Sequence, residues 1–214
     1  MCKGKFIVLD GLEGSGKSTV LAMAKEHYGS KLTFTREPGG TPLSEMIRKL
    51  IFSEEGKDAS ILTTVLLFLA SRAESFAKFT LPALLQGENV LADRGDSSTF
   101  AYNIYGIPEA EKLQLEDFFF KFRAMFFRDC FPDAYIFLDL TPEEGLARKK
   151  KQSDTDKNYN DEKPLSFHHR VSKGFVSFFR NPNLVGSKVF VINAFQSREK
   201  VWEDVQKAID SVIG

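Results

Sequence analysis

Short apolar runs alternate along the chain with longer segments in which apolar residues return every three or four positions. Short runs are typical of buried strands, and the longer periodicity is typical of amphipathic helices. The strand candidates are residues 6–9, 32–35, 90–92, 134–138 and 189–192. Because helical segments separate these five runs, the pattern predicts an α/β fold, a doubly wound parallel sheet flanked by helices.

The helical segments fill most of the chain between these strands. They are residues 17–27, 43–51, 61–85, 109–129, 142–150, 164–179 and 198–212. Neither a repeat nor a linker interrupts the pattern, so we expect residues 1–214 to form a single domain. Residues 149–163 are almost wholly polar. This segment is either a solvated loop or a mobile lid that closes over phosphates.

Composition and charge narrow the classes of protein. With 29 basic and 29 acidic residues, the chain lacks the broad positive charge of a nucleic-acid-binding protein. The first apolar run is too short for a signal peptide or a membrane span, so we expect a cytoplasmic protein with no membrane partner. Cys2 and Cys130 are too few for a disulfide framework and lack metal-ligand spacing. Both are expected to be free thiols.

A glycine-rich motif links the first predicted strand to the first predicted helix. It matches G-x-x-x-x-G-K-[ST] and consists of Gly11, Leu12, Glu13, Gly14, Ser15, Gly16, Lys17 and Ser18. In this context the backbone N–H groups and the helix start bind the phosphates of a nucleoside triphosphate. Lys17 adds a full positive charge, and the Ser18 hydroxyl is the expected Mg²⁺ ligand. The motif alone does not separate GTPases, motor ATPases and small-molecule kinases.

The chain resembles the thymidylate kinase family along nearly its whole length, and four sequence blocks carry the resemblance. They are LDGLEGSGKST at residues 9–19, TREPGGT at 35–41, LLFLASRAE at 66–74 and DRGDSSTFAY at 93–102. The resemblance implies a single P-loop kinase domain that uses ATP and Mg²⁺ to phosphorylate dTMP, giving dTDP and ADP. Another nucleoside monophosphate or deoxynucleoside kinase stays open as an alternative, as does a non-catalytic nucleotide-binding switch.

The resemblance assigns a catalytic set around the phosphates. Arg36 and Arg94 would hold the dTMP phosphate, because guanidinium groups bind phosphate oxygens in a bidentate way. Asp93 ends the third predicted strand and would be the outer-sphere carboxylate of the Mg²⁺ site. Together with Lys17 these residues form the expected catalytic set. The structural alternatives are a surface ion pair for either arginine and a helix cap for Asp93.

A second set of residues matches positions around the thymidine moiety in the family. Phe68 and Arg72 lie four residues apart on one predicted helix, so the ring can stack on thymine while the guanidinium donates to its O4. By resemblance, Thr99 and Tyr102 lie beside the base and sugar, with Tyr102 crowding a 2′-hydroxyl. Glu13 would lie near the 3′-hydroxyl. Thymine and uracil differ by one methyl group, so dUMP is expected to be a weaker substrate. Phe68 considered alone is more typical of a core residue, since the chain holds 21 phenylalanines.

The donor side departs from several bacterial relatives, which carry arginine-rich lids. Arg148 and Thr19 complete the expected ATP-binding set. A lysine neutralises charge but provides no bidentate contact. The residue that clamps the transferring phosphoryl group therefore stays open among Arg148, Lys149, Lys150, Lys151 and Lys157.

Two further expectations concern surfaces. His168 and His169 are expected to be exposed, because no metal-ligand spacing surrounds them. Phenylalanines crowd residues 118–131. That segment is either a subunit interface, as the homodimers of the family suggest, or a wholly buried helix.

Overall fold

A computed structural model describes residues 2–107, 112–151, 159–184 and 186–214 of the chain. These residues contain a five-stranded sheet with strands β1 Phe6–Gly11, β2 Thr33–Arg36, β3 Val90–Asp93, β4 Ala134–Asp139 and β5 Lys188–Asn193. The strand order is β2-β3-β1-β4-β5, and every neighbouring pair is parallel. The predicted fold class and all predicted strands are confirmed.

Helices cover both faces of the sheet. They are α1 Lys17–Tyr28, α2 Pro42–Ile51, α3 Glu54–Lys57, α4 Ile61–Ser75, α5 Leu81–Gln86, α6 Asp96–Thr99, α7 Lys112–Phe127, α8 Pro142–Lys150, α9 Leu165–Phe179 and α10 Arg198–Ile213. Alternate residues of β1 face opposite sides, as a pleated strand requires. Ile7 and Leu9 belong to the core cluster of α1 and α10, whereas Phe6 and Val8 belong to that of α4 and α7.

Two π-helical segments depart from the predicted helices. Phe76–Thr80 interrupts the segment expected to be one helix over residues 61–85, and Phe100–Tyr105 continues α6. Phe76 and Phe100 are both fully buried among aromatic rings. A π turn inserts an extra residue, which changes the direction of the following side chains. Local apolar periodicity does not reveal such an insertion.

The expectation of two free thiols was wrong. The structure joins Cys2 and Cys130 by a disulfide, with their Cα atoms 5.8 Å apart. That separation lies within the usual range for disulfides. The backbone N–H groups of Lys3 and Gly4 donate to the Leu84 carbonyl, and this fixes the N-terminal residues beside α5. Because 128 positions separate the cysteines, counting along the sequence could not anticipate the contact.

The phenylalanine-rich helix α7 mainly supplies core. Phe119 and Phe127 are fully buried, whereas Phe118 and Met125 are exposed. A denser set of exposed apolar side chains lies on α2, α4 and the residue after α2: Leu43, Met46, Leu50, Phe52, Leu62 and Leu66. Within the described ranges, no helix is both long enough and apolar enough to cross a membrane.

Candidate active site

The glycine-rich loop follows β1 at the carboxyl edge of the sheet, where ligands of open α/β sheets bind. Gly14 and Gly16 have φ angles of 70° and 91°, which L side chains rarely adopt. A Cβ atom at Gly14 would also overlap the carbonyl oxygen of Gly145 in α8. The loop therefore holds its shape only with glycine at this position, and it leads directly into α1 at Lys17.

Lys17 lies at the centre of this loop, and its Nζ donates to the carbonyl oxygen of Gly11 over 3.3 Å. Burial of the ammonium group, with a smaller contribution from Arg94, lowers its pKa to about 8, against the opposing effects of Asp93, Asp10 and Glu13. An incoming phosphate would favour the charged form of the lysine. The loop thus combines backbone donors with a cation that an anionic ligand stabilises.

Arg94 occupies a strained backbone conformation, with φ at 67° directly after β3. Its Nη1 donates to the Ser98 hydroxyl over 2.9 Å, and its Nη2 lies 3.6 Å from Oε1 of Glu13. Burial alone would lower its pKa, but Tyr102 and the nearby carboxylates of Glu13 and Asp10 raise it above its ordinary value. The guanidinium is therefore fully charged beside the glycine-rich loop.

Asp10, which sequence reasoning did not single out, fixes the loop that carries Arg94. Its carboxylate is completely buried and accepts hydrogen bonds from the hydroxyls of Ser97 and Ser98, both at 2.7 Å. Burial raises its pKa, although Arg94 and the two serines act in the opposite direction. The position before the first glycine of the motif was the available signal, because it ends a buried strand at the ligand edge.

A cavity of about 320 Å³, here called the arginine-lined cavity, opens beside the glycine-rich loop. Its lining includes every side chain that the resemblance assigned to the acceptor nucleotide except Arg36: Glu13, Phe68, Arg72, Arg94, Thr99 and Tyr102. Arg48 of α2 also lines it and was not predicted. Phe68 is half-buried and lies in this lining, not in the core clusters of the described residues.

Arg72 is held rigidly at the wall of this cavity. Its Nε donates to Glu37 over 2.6 Å, and its Nη2 donates to the Gly95 carbonyl and the Thr99 hydroxyl, both over 2.8 Å. Its Nη1 is buried and has no hydrogen-bond partner among the described residues. Burial raises the pKa of Glu37, and Arg72 opposes that shift. The guanidinium therefore presents one unpaired donor group that a ligand acceptor can satisfy.

Arg36 does not join this lining in the structure. Its side chain is 54% exposed, and its Nη2 lies 2.8 Å from Oε2 of Glu45. Arg48 lies nearer the cavity, with its Nη1 donating to the Pro38 carbonyl over 2.9 Å, and burial lowers its pKa with a further contribution from Arg36. Arg36 and Arg48 thus form a positive edge to the cavity, and Glu45 partly neutralises that edge.

Asp93 and Ser18 lie where a Mg²⁺ site was predicted. Oδ1 of Asp93 is buried and lacks a hydrogen-bond partner among the described residues, while Ser18 is exposed at the start of α1. Asp93 also acts electrostatically on Lys17. Mg²⁺ is usually held by one or two carboxylates together with substrate phosphates. An unpaired buried carboxylate oxygen beside a phosphate-binding loop fits that pattern.

A second cavity of about 530 Å³, here called the loop-side cavity, lies on the other side of the glycine-rich loop. Gly14, Thr19, Arg148 and Lys151 contribute to its lining. Arg148 pairs with Glu144 over 2.8 Å and donates to the Ala194 carbonyl over 3.0 Å. Of the other candidate clamps, Lys149 and Lys150 are not part of this lining, and Lys157 lies outside the described residues.

The expectation of two exposed histidines was wrong for one of them. His169 is exposed, with its Nε2 3.0 Å from Oε1 of Glu143. His168 is 1% exposed, and its Nδ1 lies 3.6 Å from Oε2 of Glu13. The cause is the packing of α9 against the π-helical segment Phe100–Tyr105. The helical spacing of His168, Val171 and Phe175, all buried, was a signal that could have revealed it.

Comparisons with known proteins point to one family. The family model described as "Thymidylate kinase" matches residues 9–205. The thymidylate kinase of Bacillus cytotoxicus is 34% identical over 212 residues, covering 98% of this chain and 98% of the relative. That of Clostridium novyi is 34% identical over 212 residues, covering 96% and 98%. The crystal structure of thymidylate kinase from Ehrlichia chaffeensis superposes with a TM-score of 0.71 at 29% identity, covering 96% and 98% of the two chains.

Proposed function

The chain belongs to the thymidylate kinase family, and from that premise we propose that the arginine-lined cavity binds dTMP and the loop-side cavity binds ATP. The reaction is transfer of the terminal phosphoryl group of ATP to dTMP, which gives dTDP and ADP. The observation that carries the placement of dTMP is the buried Nη1 of Arg72, which is unpaired within the described structure and belongs to a side chain that lines the same cavity as Phe68.

Recognition of the base follows from donor and acceptor chemistry. An arginine offers only donors, and thymine presents the O4 carbonyl as an acceptor where cytosine presents an amino group. If cytosine occupied the cavity, the Arg72 donor would stay unpaired, which costs about 1–3 kcal/mol. Phe68 supplies the flat surface on which the pyrimidine stacks. The cavity therefore favours dTMP and dUMP over dCMP.

The phosphates meet at the glycine-rich loop, where their mutual repulsion must be offset. Each pair of unit charges 4 Å apart repels by about 1 kcal/mol in water and several-fold more as water is excluded. We assign Arg94 to the acceptor phosphate and Lys17 to the ATP phosphates, because both lie at this junction. Arg36 joins them only if its guanidinium leaves Glu45, a movement that its exposure permits.

We assign the metal site to Ser18 and Asp93. Mg²⁺ held there would neutralise part of the charge on the ATP phosphates. Asp93 would hold the ion through its unpaired Oδ1, in the outer sphere, and Ser18 would hold it through its hydroxyl. Thr19, Gly14, Gly16 and Arg148 line the ATP side, and among the described lysines of the lid segment Lys151 contributes to the same lining. Arg148 and Lys151 are therefore the clamps that we favour.

Domain organisation and assembly complete the proposal. Residues 1–214 act as one P-loop kinase domain, since a single described sheet carries both cavities. The exposed apolar side chains of α2 and α4 form the contact surface of a homodimer, because these two helices pack together and a patch of this kind favours self-association. We also propose that the enzyme acts in the cytoplasm.

A panel of nucleoside monophosphates tests the assignment. With ATP and Mg²⁺, coupled measurement of ADP release should show dTMP as the best acceptor, dUMP as a weaker one, and dCMP weaker still. A methyl group is worth roughly 1–3 kcal/mol in a fitted pocket, so dUMP should lose about 10-fold or more in kcat/KM. Brisk turnover of another monophosphate with indifference to dTMP would overturn the proposal. Nucleotide-dependent binding of a partner protein, without acceptor-dependent turnover, would instead indicate a switch.

A further inference from the structure

His168 of α9 is a buried imidazole with an unusual neighbourhood. Its Nδ1 faces Oε2 of Glu13 at 3.6 Å, and its Nε2 is buried with no hydrogen-bond partner among the described residues. The ring of Phe167, which lines the arginine-lined cavity, lies 5.4 Å from the imidazole. A histidine that only filled the core would more commonly have both ring nitrogens satisfied or be replaced by an apolar side chain.

The two ring nitrogens have different surroundings, and this decides the tautomer. A buried N–H without an acceptor is unfavourable, so we assign the proton of the neutral imidazole to Nδ1, where the Glu13 carboxylate can accept it. The bare Nε2 then faces the interior. In this tautomer the Nδ1–H group of His168 is the donor that faces the Glu13 carboxylate.

Glu13 receives such donors from several elements of the fold. The Tyr102 hydroxyl lies 2.8 and 2.7 Å from its two carboxylate oxygens, and Arg94 approaches Oε1 at 3.6 Å. Burial alone would raise the pKa of Glu13, but His168, Arg94, Tyr102 and Lys17 together lower it to about 2. Glu13 is thus an ionised acceptor fixed inside a glycine-rich loop, where a lone carboxylate would otherwise be mobile.

We propose that His168 is a positioning residue that orients the Glu13 carboxylate to accept a hydrogen bond from the 3′-hydroxyl of the acceptor sugar. Through Glu13, it selects for nucleotides that carry this hydroxyl. The inference rests on the proposed function, which places Glu13 beside the sugar of dTMP in the arginine-lined cavity. His168 itself is not part of that lining and acts only through the carboxylate.

The test compares dTMP with 3′-deoxy-dTMP, measured as kcat and KM for the wild type and four variants. A hydrogen bond to a charged group predicts that the wild type favours dTMP by about 10- to 100-fold in kcat/KM. His168→Leu should reduce this ratio by about 10-fold, mainly through KM for dTMP, with KM for ATP unchanged. His168→Asn should restore most of it, because the Asn amide can donate from nearly the same place as Nδ1.

His169→Asn is the matched control, because His169 is the next residue on the same helix and contacts Glu143 at the surface. It should keep the wild-type ratio. A thermal melt of each variant separates loss of fold from loss of selectivity. If His168→Leu does not fold, His168→Asn provides the test of the proposal. Its ratio of kcat/KM for dTMP over 3′-deoxy-dTMP must then exceed the ratio measured for Glu13→Gln.

Glu13→Gln tests the placement of Glu13 beside the sugar separately from the role of His168. If it leaves the 3′-hydroxyl ratio unchanged, the placement of Glu13 beside the sugar is wrong, and the proposed acceptor site fails with it. If Glu13→Gln lowers the ratio while His168→Leu folds and keeps it, the acceptor site stands and the role of His168 is rejected.

Discussion

The two cavities beside the glycine-rich loop differ in how deeply their ion pairs are buried. In the arginine-lined cavity, Arg72 and Glu37 are 3% and 6% exposed and are joined at 2.6 Å. In the loop-side cavity, the side chains of Arg148 and Glu144 are 33% and 41% exposed and lie one helical turn apart. Buried pairs cost much when one partner is lost, whereas exposed pairs contribute little. Under the proposed assignment of the cavities, the fold would fix recognition of the acceptor base in advance and leave the donor side adaptable.

The same contrast extends to the surrounding groups. Around Arg72 and Arg94, neighbouring strand ends and helices supply Glu37, Thr99 and Ser98 as fixed partners. Arg148 contacts a carboxylate of its own helix and one backbone carbonyl. Phosphates are alike in every nucleotide, so cations that adapt to them suffice. A base must be distinguished by one or two groups, and this requires donors held in place before binding.

The largest expected effect lies at the junction of the two cavities. Lys17→Ala removes the cation of the glycine-rich loop and should lower kcat by roughly 10³-fold or more, because charge stabilisation provides most of the catalysis in phosphoryl transfer. Within the described residues, the Lys17 ammonium has one hydrogen bond, a 3.3 Å contact to a carbonyl, and its attraction to nearby carboxylates is offset by its burial, so the melting temperature should change little. Steady-state kinetics with saturating ATP and dTMP measure the effect. Activity within 10-fold of the wild type would remove Lys17 from the catalytic set.

The contrast in stability comes next. Glu37→Ala leaves Arg72 as an uncompensated buried charge and should lower the free energy of unfolding by about 3–5 kcal/mol. Glu144→Ala removes the exposed partner of Arg148 and should cost about 0–1 kcal/mol. Urea titration of both variants gives the comparison. Similar losses for the two variants would contradict the proposed difference between the cavities.

Glu13 belongs to the glycine-rich loop beside both cavities. The pH dependence of stability tests whether its carboxylate is buried and ionised in the folded protein. Its folded pKa of about 2 lies below the ordinary value of 4.5, so its ionised form stabilises the fold above pH 4.5. This contribution, about 3 kcal/mol, is lost as pH falls through the folded pKa. Glu13→Gln should therefore be less stable than the wild type at neutral pH, with the difference shrinking from pH 4.5 towards pH 2. A difference independent of pH would contradict a buried, ionised Glu13.

The smallest expected effect concerns selectivity. Arg72→Lys keeps a positive charge but loses the planar guanidinium group, and with it the Nη1 donor. The ratio of kcat/KM for dTMP over dCMP should fall by about 10-fold, since one well-placed hydrogen bond is lost. Arg148→Lys is the control, and it should change KM for ATP modestly while keeping this ratio. An unchanged ratio in Arg72→Lys would place base recognition elsewhere.

Much of the fold could be predicted from local patterns. Each strand is a short apolar run, and the glycine-rich loop carries its own signal in the order of glycines, lysine and serine. The segments around Phe68, Arg72 and Arg94 were located by motif, and the structure brings those side chains to one cavity. Their contributions to binding stay predictions.

Other features depended on contacts between distant segments. The disulfide joins Cys2 and Cys130 across 128 positions, a contact that sequence spacing does not encode. The burial of His168 depends on the packing of α9, and its spacing to the buried Val171 and Phe175 was the one local signal of it. Glu37 was visible within TREPGGT but gained a role only when Arg72 was found against it. Arg36 shows the opposite case, because its motif predicted a place at the site and the structure pairs it with Glu45 at the surface.

A crystal structure of the protein with dTMP bound tests the central claim most directly. The account predicts thymine stacked on Phe68, with its O4 about 3 Å from Nη1 of Arg72 and the Glu37 contact to Nε retained. A base bound elsewhere, with Nη1 of Arg72 still unpaired, would contradict the claim that this cavity is preformed for the acceptor.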